Sequence, residues 1–208
     1  MRKAIILSVG ILLLSSLTAL SAQSSEQLLQ KAVAALRTDR GVAVAYQSEF
    51  RDHSGKVVSQ SNGRIELLGR KFRLMDNLTA VYDGKTLAYY NREDNTLNYS
   101  SPSAEELAQI NPILLFDRAE RNFHVKQLPE SKVGPIIALT PRVKSNFSQI
   151  EICLNRQNNL PHSINIKLRD KSSISVMIYR VDTMLKFPAG AFTLNPKDYA
   201  GAEIVDLR

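Results

Sequence analysis

The side chains with the greatest potential for chemistry in this sequence are three histidines and a single cysteine. His53, His124 and His162 are scattered, and none has a second histidine, a cysteine or a carboxylate at the spacing that metal ligands share on one face. Cys153 lies in a strand-like apolar run, where a thiol stays inert, and alone it makes no intramolecular disulfide. We therefore expect no metal, no cofactor and no reactive thiol.

Motifs for nucleophilic or phosphoryl chemistry are also missing from the sequence. No G-x-S-x-G turn presents a serine, and no glycine-rich loop is suited to a phosphate. The adjacent carboxylates Glu105 and Glu106 fit a helix start, where negative charge is favourable. We therefore expect a binding protein rather than an enzyme, with a hydrolase as the enzymatic alternative.

The first 22 residues have the pattern of a secretory signal peptide. Two basic residues precede an apolar run from Ala4 to Leu14, and small residues ending at Ala22 precede the polar Gln23. A membrane-spanning helix needs about 20 unbroken apolar residues, whereas serines, a glycine and a threonine interrupt this stretch. No cysteine follows the cleavage site to carry a lipid, so we expect residues 23–208 to be a soluble periplasmic protein.

Residues 23–208 are long enough for one domain with its own core. Without the two basic residues of the signal segment, 25 of the 27 basic residues remain against 20 acidic ones, a net charge of +5. The charges are dispersed, and basic-aromatic segments such as residues 69–73 lack a nucleic-acid-binding motif. A mildly basic surface suits anionic membranes or acidic partners, and we expect a monomer that binds no nucleic acid.

The hydrophobic pattern changes from helical to strand-like near the start of this domain. Ser24 to Gln27 form a capping box, and apolar residues then recur on one helical face until the predicted helix ends near Gly41. From Val42 to Arg51 the apolar period is two, and turn signals follow at short intervals. Asp83-Gly84 is the clearest hairpin signal. The pattern predicts an antiparallel meander, sandwich or barrel.

The 103–116 segment, Ser103 to Phe116, interrupts the strand pattern. Ser103 to Glu106 form a second capping box, which predicts a helix start. Pro112 lies too far inside to be a first-turn proline, so it should kink or divide the helix. Ile113 to Phe116 is apolar all round and needs protein cover or a ligand on every side.

Several short motifs occur in a specific order along the chain. They are Tyr46 after the N-terminal helix, the turn from Asp52 to Gly55, Gly63, Lys71-Phe72-Arg73, Asp83-Gly84-Lys85-Thr86-Leu87 with Tyr89-Tyr90-Asn91, Asn111-Pro112-Ile113-Leu114-Leu115, Leu139-Thr140-Pro141, Phe192-Thr193-Leu194-Asn195-Pro196, and Asp206-Leu207-Arg208. In this order the sequence resembles the LolA family of periplasmic outer-membrane lipoprotein carrier proteins. The chain departs from the better-known members in having no tryptophan. Arg70 lies near the family's lid-latching arginine but is offset from it by one position, so that role is not transferred to it.

The resemblance implies a fold and a site. The fold is mainly β with some α, an incomplete antiparallel β-barrel (half-barrel) lidded by short helices and enclosing a hydrophobic cup. The N-terminal helix and the 103–116 segment would be the lids. The residues expected to contact acyl chains in the cup are Tyr46, Phe72, Leu74, Tyr89, Ile113, Leu114, Leu115 and Phe116. Ordinary core packing is the competing interpretation of the same side chains.

The resemblance also implies a function and partners. A member of this family is a periplasmic chaperone that shields the acyl chains of lipoproteins and shuttles them from the inner to the outer membrane. Its partners would be acylated lipoproteins, an inner-membrane ATP-driven lipoprotein-releasing complex and an outer-membrane lipoprotein acceptor. Two alternatives remain on the same half-barrel: a lipid- or lipoprotein-sensing periplasmic regulator, and another small hydrophobic-ligand binder.

Overall fold

The computed structural model describes residues 24–36, 39–76, 78–103, 106–107, 110–111, 114 and 119–208. The predicted signal peptide, residues 1–22, and the predicted interruption at Pro112 lie outside the described residues.

The described chain forms a single large sheet with short helical pieces. The helices are α1 (Ser25–Leu36) and α2 (Ala119–Asn122). The strands are β1 (Gly41–Arg51), β2 (Val57–Leu68), β3 (Lys71–Met75), β4 (Thr79–Tyr82), β5 (Leu87–Asn91), β6 (Thr96–Ser100), β7 (Phe123–Leu128), β8 (Ile136–Pro141), β9 (Phe147–Leu154), β10 (Pro161–Leu168), β11 (Ser173–Leu185) and β12 (Glu203–Leu207).

The strands pair in the order β12-β6-β5-β4-β3-β2-β1-β11-β10-β9-β8-β7. Neighbouring strands are antiparallel, except that the last strand, β12, joins β6 in parallel. The non-local pair of β1 and β11 lies near the centre of the sheet, and the two ends of the sheet are β12 and β7. The sheet is therefore open, and the predicted incomplete antiparallel barrel is confirmed.

The connection from β6 to β7 passes from one end of the sheet to the other. β6 lies next to the edge strand β12, whereas β7 is the opposite edge. The 103–116 segment lies within this connection. The two strands that this connection joins therefore lie at or next to opposite edges of the sheet.

The inner face of the sheet, defined here as the face that α1 covers, carries the main hydrophobic core. Ser24 and Gln27 cap α1 reciprocally, with both backbone N–H groups 3.2 Å from the partner side-chain oxygen. The buried side of α1 joins the core through Leu28, Leu29, Ala32 and Leu36.

Gly41 is the first residue of β1 rather than the end of the helix. The described helix ends at Leu36. A side chain at Gly41 would collide with the ring of Phe187 and would lie 2.9 Å from the Leu185 carbonyl oxygen. The absence of a side chain at Gly41 therefore allows a close approach between β1 and the C-terminal segment.

The outer face carries a second, smaller core beneath the C-terminal segment. Phe187 and Phe192 pack edge to face with their ring centroids 5.2 Å apart, and Tyr199 packs on Tyr90 at 4.5 Å. These rings surround Val81, Ala88 and Leu97 of β4 to β6. Residues 187–202 therefore cover this half of the sheet before the chain enters β12.

The basic-aromatic stretch at β3 is divided between the two faces. Phe72 is fully buried on the inner face. Arg73 donates through Nε (2.9 Å) and Nη2 (2.5 Å) to Oε2 of Glu66, which is buried with 6% exposure. Arg64 lies 3.2 Å from the other carboxylate oxygen. Arg73 of this stretch and Arg64 of β2 thus satisfy a buried carboxylate.

Candidate ligand-binding cavity

A cavity of about 290 Å³ lies against the inner face of the sheet. Alternate residues of a strand point to the same face, so β1, β2, β3, β10 and β11 each contribute side chains to it. Most of the lining is aliphatic: Val44, Ile65, Leu74, Leu78, Ile110, Ile164, Ile174, Val176 and Ile178.

The register of the central strands aligns these side chains in rows. Val44 on β1 is opposite Ile65 on β2. On the other side of β1, Tyr46 is opposite Ile178 of β11. The same pairing places Ser48 opposite Val176. The long non-local pair β1 and β11 therefore forms the floor of the cavity.

The 103–116 segment contributes the remaining wall. The Ser103 and Glu106 side chains cap each other's backbone N–H groups at 3.2 and 2.7 Å, as the capping box predicts. Ile110 and the fully buried Asn111 then line the cavity. The backbone N–H of Asn111 donates to Leu107 at 2.8 Å, and its carbonyl accepts from Leu114 at 3.0 Å.

A cluster of four polar side chains, called here the Asp76 cluster, lies within the aliphatic surroundings. It consists of Tyr46, Ser48, Ser61 and Asp76, all half-buried. The Tyr46 hydroxyl donates to Asp76 Oδ2 at 2.9 Å, and the Ser61 hydroxyl donates to the same oxygen at 2.8 Å. The Ser48 and Ser61 hydroxyl oxygens are 2.7 Å apart.

The environment holds the Tyr46 hydroxyl in its protonated form. Burial raises the pKa of Tyr46 well above its ordinary value, and the negative charge and hydrogen bond of Asp76 raise it further. Tyr46 is therefore a permanent hydrogen-bond donor to the carboxylate at any physiological pH.

Gly63 makes this arrangement possible. It lies directly opposite Tyr46 in the β1–β2 pair. A side chain at Gly63 would collide with the Tyr46 ring and hydroxyl and would come within 2.9 Å of Asp76 Oδ2. Because glycine has no Cβ, the Tyr46 ring can extend across β2 to reach the end of β3.

The residues predicted to contact acyl chains lie in different environments. Tyr46 and Leu74 line the cavity. Phe72 is fully buried in the inner-face core, with its ring centroid 5.6 Å from that of Tyr82. Partly buried Tyr89 and Leu114 pack against the same core. Ile113, Leu115 and Phe116 lie outside the described residues.

Sequence reasoning does not identify Ser48, Ser61 or Asp76 as site residues. The Asp76-Asn77 pair has the composition of a turn. A usable signal is the strand period, because Phe72, Leu74 and Asp76 follow it and share a face. The position of Ser48 on the apolar face of β1 gives the same kind of signal.

A second cavity of about 450 Å³ adjoins the first through a shared side chain. Ile174 of β11 lines both cavities. The second cavity is otherwise lined by Asn146, Phe147, Ile166, Leu168, Arg169 and Asp170. The walls of two largely apolar spaces on the inner side of the sheet therefore share Ile174.

Three further findings concern the described residues. Among them, no three histidine, cysteine or carboxylate side chains are grouped closely enough to hold a metal ion. Cys153 is buried, with its sulfur 3.3 Å from the Ser131 hydroxyl oxygen. Within the same part of the chain, no helix is both long enough and apolar enough to cross a membrane.

Comparison with protein families gives one match that covers most of the chain. The family model described as outer membrane lipoprotein carrier protein LolA matches residues 39–195. This range runs from just before β1 to the C-terminal segment and includes the whole cavity. No curated protein sequence matches the chain.

Comparison with solved structures gives matches at low sequence identity. An uncharacterized conserved protein from Thermus thermophilus aligns with a TM-score of 0.58 at 14% identity, covering 88% of this chain and 99% of its own. A LolA superfamily protein from Nitrosomonas europaea aligns with a TM-score of 0.47 at 10% identity, covering 82% and 98%. A putative outer membrane lipoprotein-sorting protein domain from Vibrio parahaemolyticus gives 0.47 at 9%, covering 84% and 97%.

Proposed function

Because the chain belongs to the LolA family of outer membrane lipoprotein carrier proteins, we propose that it is a periplasmic chaperone for lipoproteins. It shields their acyl chains and carries them from the inner to the outer membrane. The observation that carries this proposal is the aliphatic cavity between the central strands and the 103–116 segment. This is the environment that an acyl chain needs when it leaves a bilayer.

The energetics explain why a carrier is needed. Burial of one methylene is worth about 0.8 kcal/mol, so exposing a chain of about 16 carbons to water costs on the order of 12 kcal/mol. A lipoprotein has more than one such chain, and spontaneous transfer is correspondingly slow. The cargo must therefore pass from an ATP-driven releasing complex of the inner membrane to this protein, and from it to an outer-membrane acceptor.

The size of the cavity argues for a moving cover. Its volume of about 290 Å³ lies at the lower end of the range of about 300–1,000 Å³ for small-molecule pockets. Two or three acyl chains need more room. The 103–116 segment supplies Ile110 and Asn111 to the wall, and we infer that this segment moves outward when cargo enters. Cargo then has to bind the open form more tightly than the closed one.

Photo-crosslinking tests where the acyl chains bind. A photoreactive amino acid is placed at Leu74 or Leu114 on the inner side, and at Val58 or Met177, which are 58% and 46% exposed, as controls. The protein without its predicted signal peptide, residues 23–208, is irradiated with a triacylated peptide. Adducts at the inner positions alone support the proposal. Equal labelling at all four positions contradicts it.

A further inference from the structure

Two hairpin loops at one end of the sheet lie side by side. The 142–146 loop joins β8 to β9, and the 169–172 loop joins β10 to β11. The backbone N–H of Arg169 donates to the Asn146 carbonyl oxygen at 3.0 Å, and the Arg169 guanidinium donates to the Ser145 carbonyl oxygen. The two loops, called here the basic loop pair, therefore form one surface.

Val143 lies at the exposed tip of this surface. It is 72% exposed, the highest value among the large apolar side chains of the described residues. The backbone N–H and the Nε of Arg142 donate to the carbonyl oxygens of Asn122 and Phe123 at 2.9 and 3.0 Å, so the base of the loop is attached to α2 and the start of β7. A single exposed valine is common on protein surfaces, and its meaning depends on what surrounds it.

The residues around Val143 are mainly basic. The basic loop pair contains four basic residues and one acidic residue, a net charge of +3 out of the +5 of residues 23–208. These residues are Arg142, Lys144, Arg169 and Lys171, with Asp170 as the acidic one. The neighbouring 52–56 turn, which follows the strand paired with β11, adds one aspartate and one lysine and so no net charge.

The loops at the other ends of β8, β9 and β10 have a different charge balance. The 129–135 and 155–160 loops contain two basic residues and one acidic residue, a net charge of +1. Arg156 and Glu130 form an ion pair between these two loops at 2.7 Å. Positive charge is therefore concentrated at the end of the sheet that carries Val143.

The second cavity, of about 450 Å³, lies against the basic loop pair. Asn146 from one loop and Arg169 and Asp170 from the other line it, and the rest of its lining is Phe147, Ile166, Leu168 and Ile174. The surface that carries Val143 is thus the outer side of a wall of an apolar space.

An anionic bilayer matches this combination of features. Its surface attracts nearby lysines and arginines, and the boundary between head groups and acyl chains accepts apolar side chains. A protein partner is a poorer match, because a protein interface is built around a buried centre that is rich in aromatic residues. Neither loop contains an aromatic residue.

We propose that the basic loop pair docks on the anionic surface of a membrane, with Val143 inserted below the head groups and the basic side chains next to the lipid phosphates. This inference goes beyond the proposed function, because docking requires no cargo. In this orientation the second cavity lies at the bilayer surface.

Fluorescence of an introduced tryptophan tests the docking, because the chain has no tryptophan of its own. Val143→Trp in the protein of residues 23–208 is mixed with vesicles of phosphatidylcholine, alone or with phosphatidylglycerol in equal parts. Its emission should shift to shorter wavelength only with the phosphatidylglycerol vesicles, and lipids with brominated acyl chains should quench it. Val133→Trp is the matched control, because Val133 is also exposed and follows a lysine but lies in the 129–135 loop. Its emission should not change.

Two double variants with the same change in charge test the basic residues. Each lysine or arginine near an anionic surface strengthens binding about fivefold, so Lys144→Gln with Lys171→Gln should weaken co-sedimentation with phosphatidylglycerol vesicles about 25-fold. Lys85→Gln with Lys132→Gln removes two exposed lysines from the other end of the sheet. Charges far from the bilayer are screened, so this control should change binding by no more than about twofold.

Several results would overturn the proposal. One is an equal shift for Val143→Trp and Val133→Trp, and another is equal weakening by the two double variants. A shift that also occurs with phosphatidylcholine alone would contradict docking on anionic lipid. A shift that grows with protein concentration without vesicles would identify a second copy as the occupant, and no shift with either vesicle would favour a protein partner. None of these results decides the carrier function, which crosslinking at Leu74 and Leu114 tests separately.

Discussion

The ring of Tyr46 occupies the space that a side chain at Gly63 would need. The two residues face each other across β1 and β2, and a Cβ at Gly63 would collide with both the ring and the hydroxyl of Tyr46. This contact links the floor of the cavity to the Asp76 cluster. It also makes the glycine a sensitive position for stability.

Gly63→Ala should destabilise the fold by about 1–3 kcal/mol, the usual cost of overpacking. In an ordinary strand the same change is neutral or favourable, because alanine loses less entropy on folding. Urea unfolding of wild type and the variant measures the difference. The control is the same substitution made in a Tyr46→Ala variant, where the ring is gone and Gly63→Ala should lower the free energy of unfolding only slightly. An equal cost in both backgrounds would disprove the contact.

The stability of the protein should fall as pH rises through 10. The folded-state pKa of Tyr46 is raised by burial and by Asp76, and the ordinary value is 10.0. Above that pH the unfolded chain loses a proton that the folded protein keeps, so stability present below pH 10 is lost as pH rises. The loss due to Tyr46 is up to about 0.8 kcal/mol at pH 10.5.

Tyr46→Phe is the control for this pH dependence. The variant should show a shallower loss between pH 8 and pH 10.5 in urea unfolding. Some loss should remain, because burial, together with Asp198 and two neighbouring tyrosines, also raises the pKa of Tyr199. Identical slopes for wild type and the variant would show that Tyr46 is not coupled to folding in this way.

The sequence is sufficient to predict the class of fold and both capping boxes. Alternation in β1, the Asp83-Gly84 turn and the apolar face of α1 are local patterns, and local patterns can be read directly. The inner-face position of Leu74 follows from the same alternation. These features depend on residues that are close together in the chain.

The Asp76 cluster and the outer-face core are not predictable in this way. The cluster depends on the register of three strands and on a glycine in the middle one. Likewise, Phe187 and Phe192 are apolar, but the sequence does not specify which face of the sheet they cover. The close approach of Phe187 to Gly41 is equally unpredictable, because the two residues are distant in the chain.

The 103–116 segment should exchange its amide hydrogens faster than β1 and β11, because a moving cover belongs to the less stable part of a fold. Binding of a triacylated peptide should change its exchange, whereas the central strands should stay protected. Hydrogen exchange followed by mass spectrometry measures both. A segment as protected as the sheet, and unaffected by the peptide, would mean that these residues are ordinary core.

Ile174→Ala should lengthen the longest chain that the protein accepts. Ile174 lines both the cavity of about 290 Å³ and that of about 450 Å³, so we expect it to separate them and a smaller side chain to join them. Affinities for N-acyl amides of increasing chain length should therefore rise further in the variant than in wild type. Ile164→Ala, which enlarges only the first cavity, is the comparison. The same chain-length limit in all three proteins would contradict the role of Ile174 as a partition.

Transfer of an acylated peptide between two vesicle populations tests the carrier function most directly. A triacylated peptide with a self-quenching dye starts in donor vesicles, and fluorescence rises as it reaches acceptor vesicles. Adding the protein of residues 23–208 should increase the rate of peptide transfer in proportion to the protein concentration. Leu74→Gln in the cavity should reduce the rate, and Val58→Gln on the outer surface should not. A protein that binds the peptide but leaves transfer at its spontaneous rate would contradict a carrier and favour a lipid-sensing regulator.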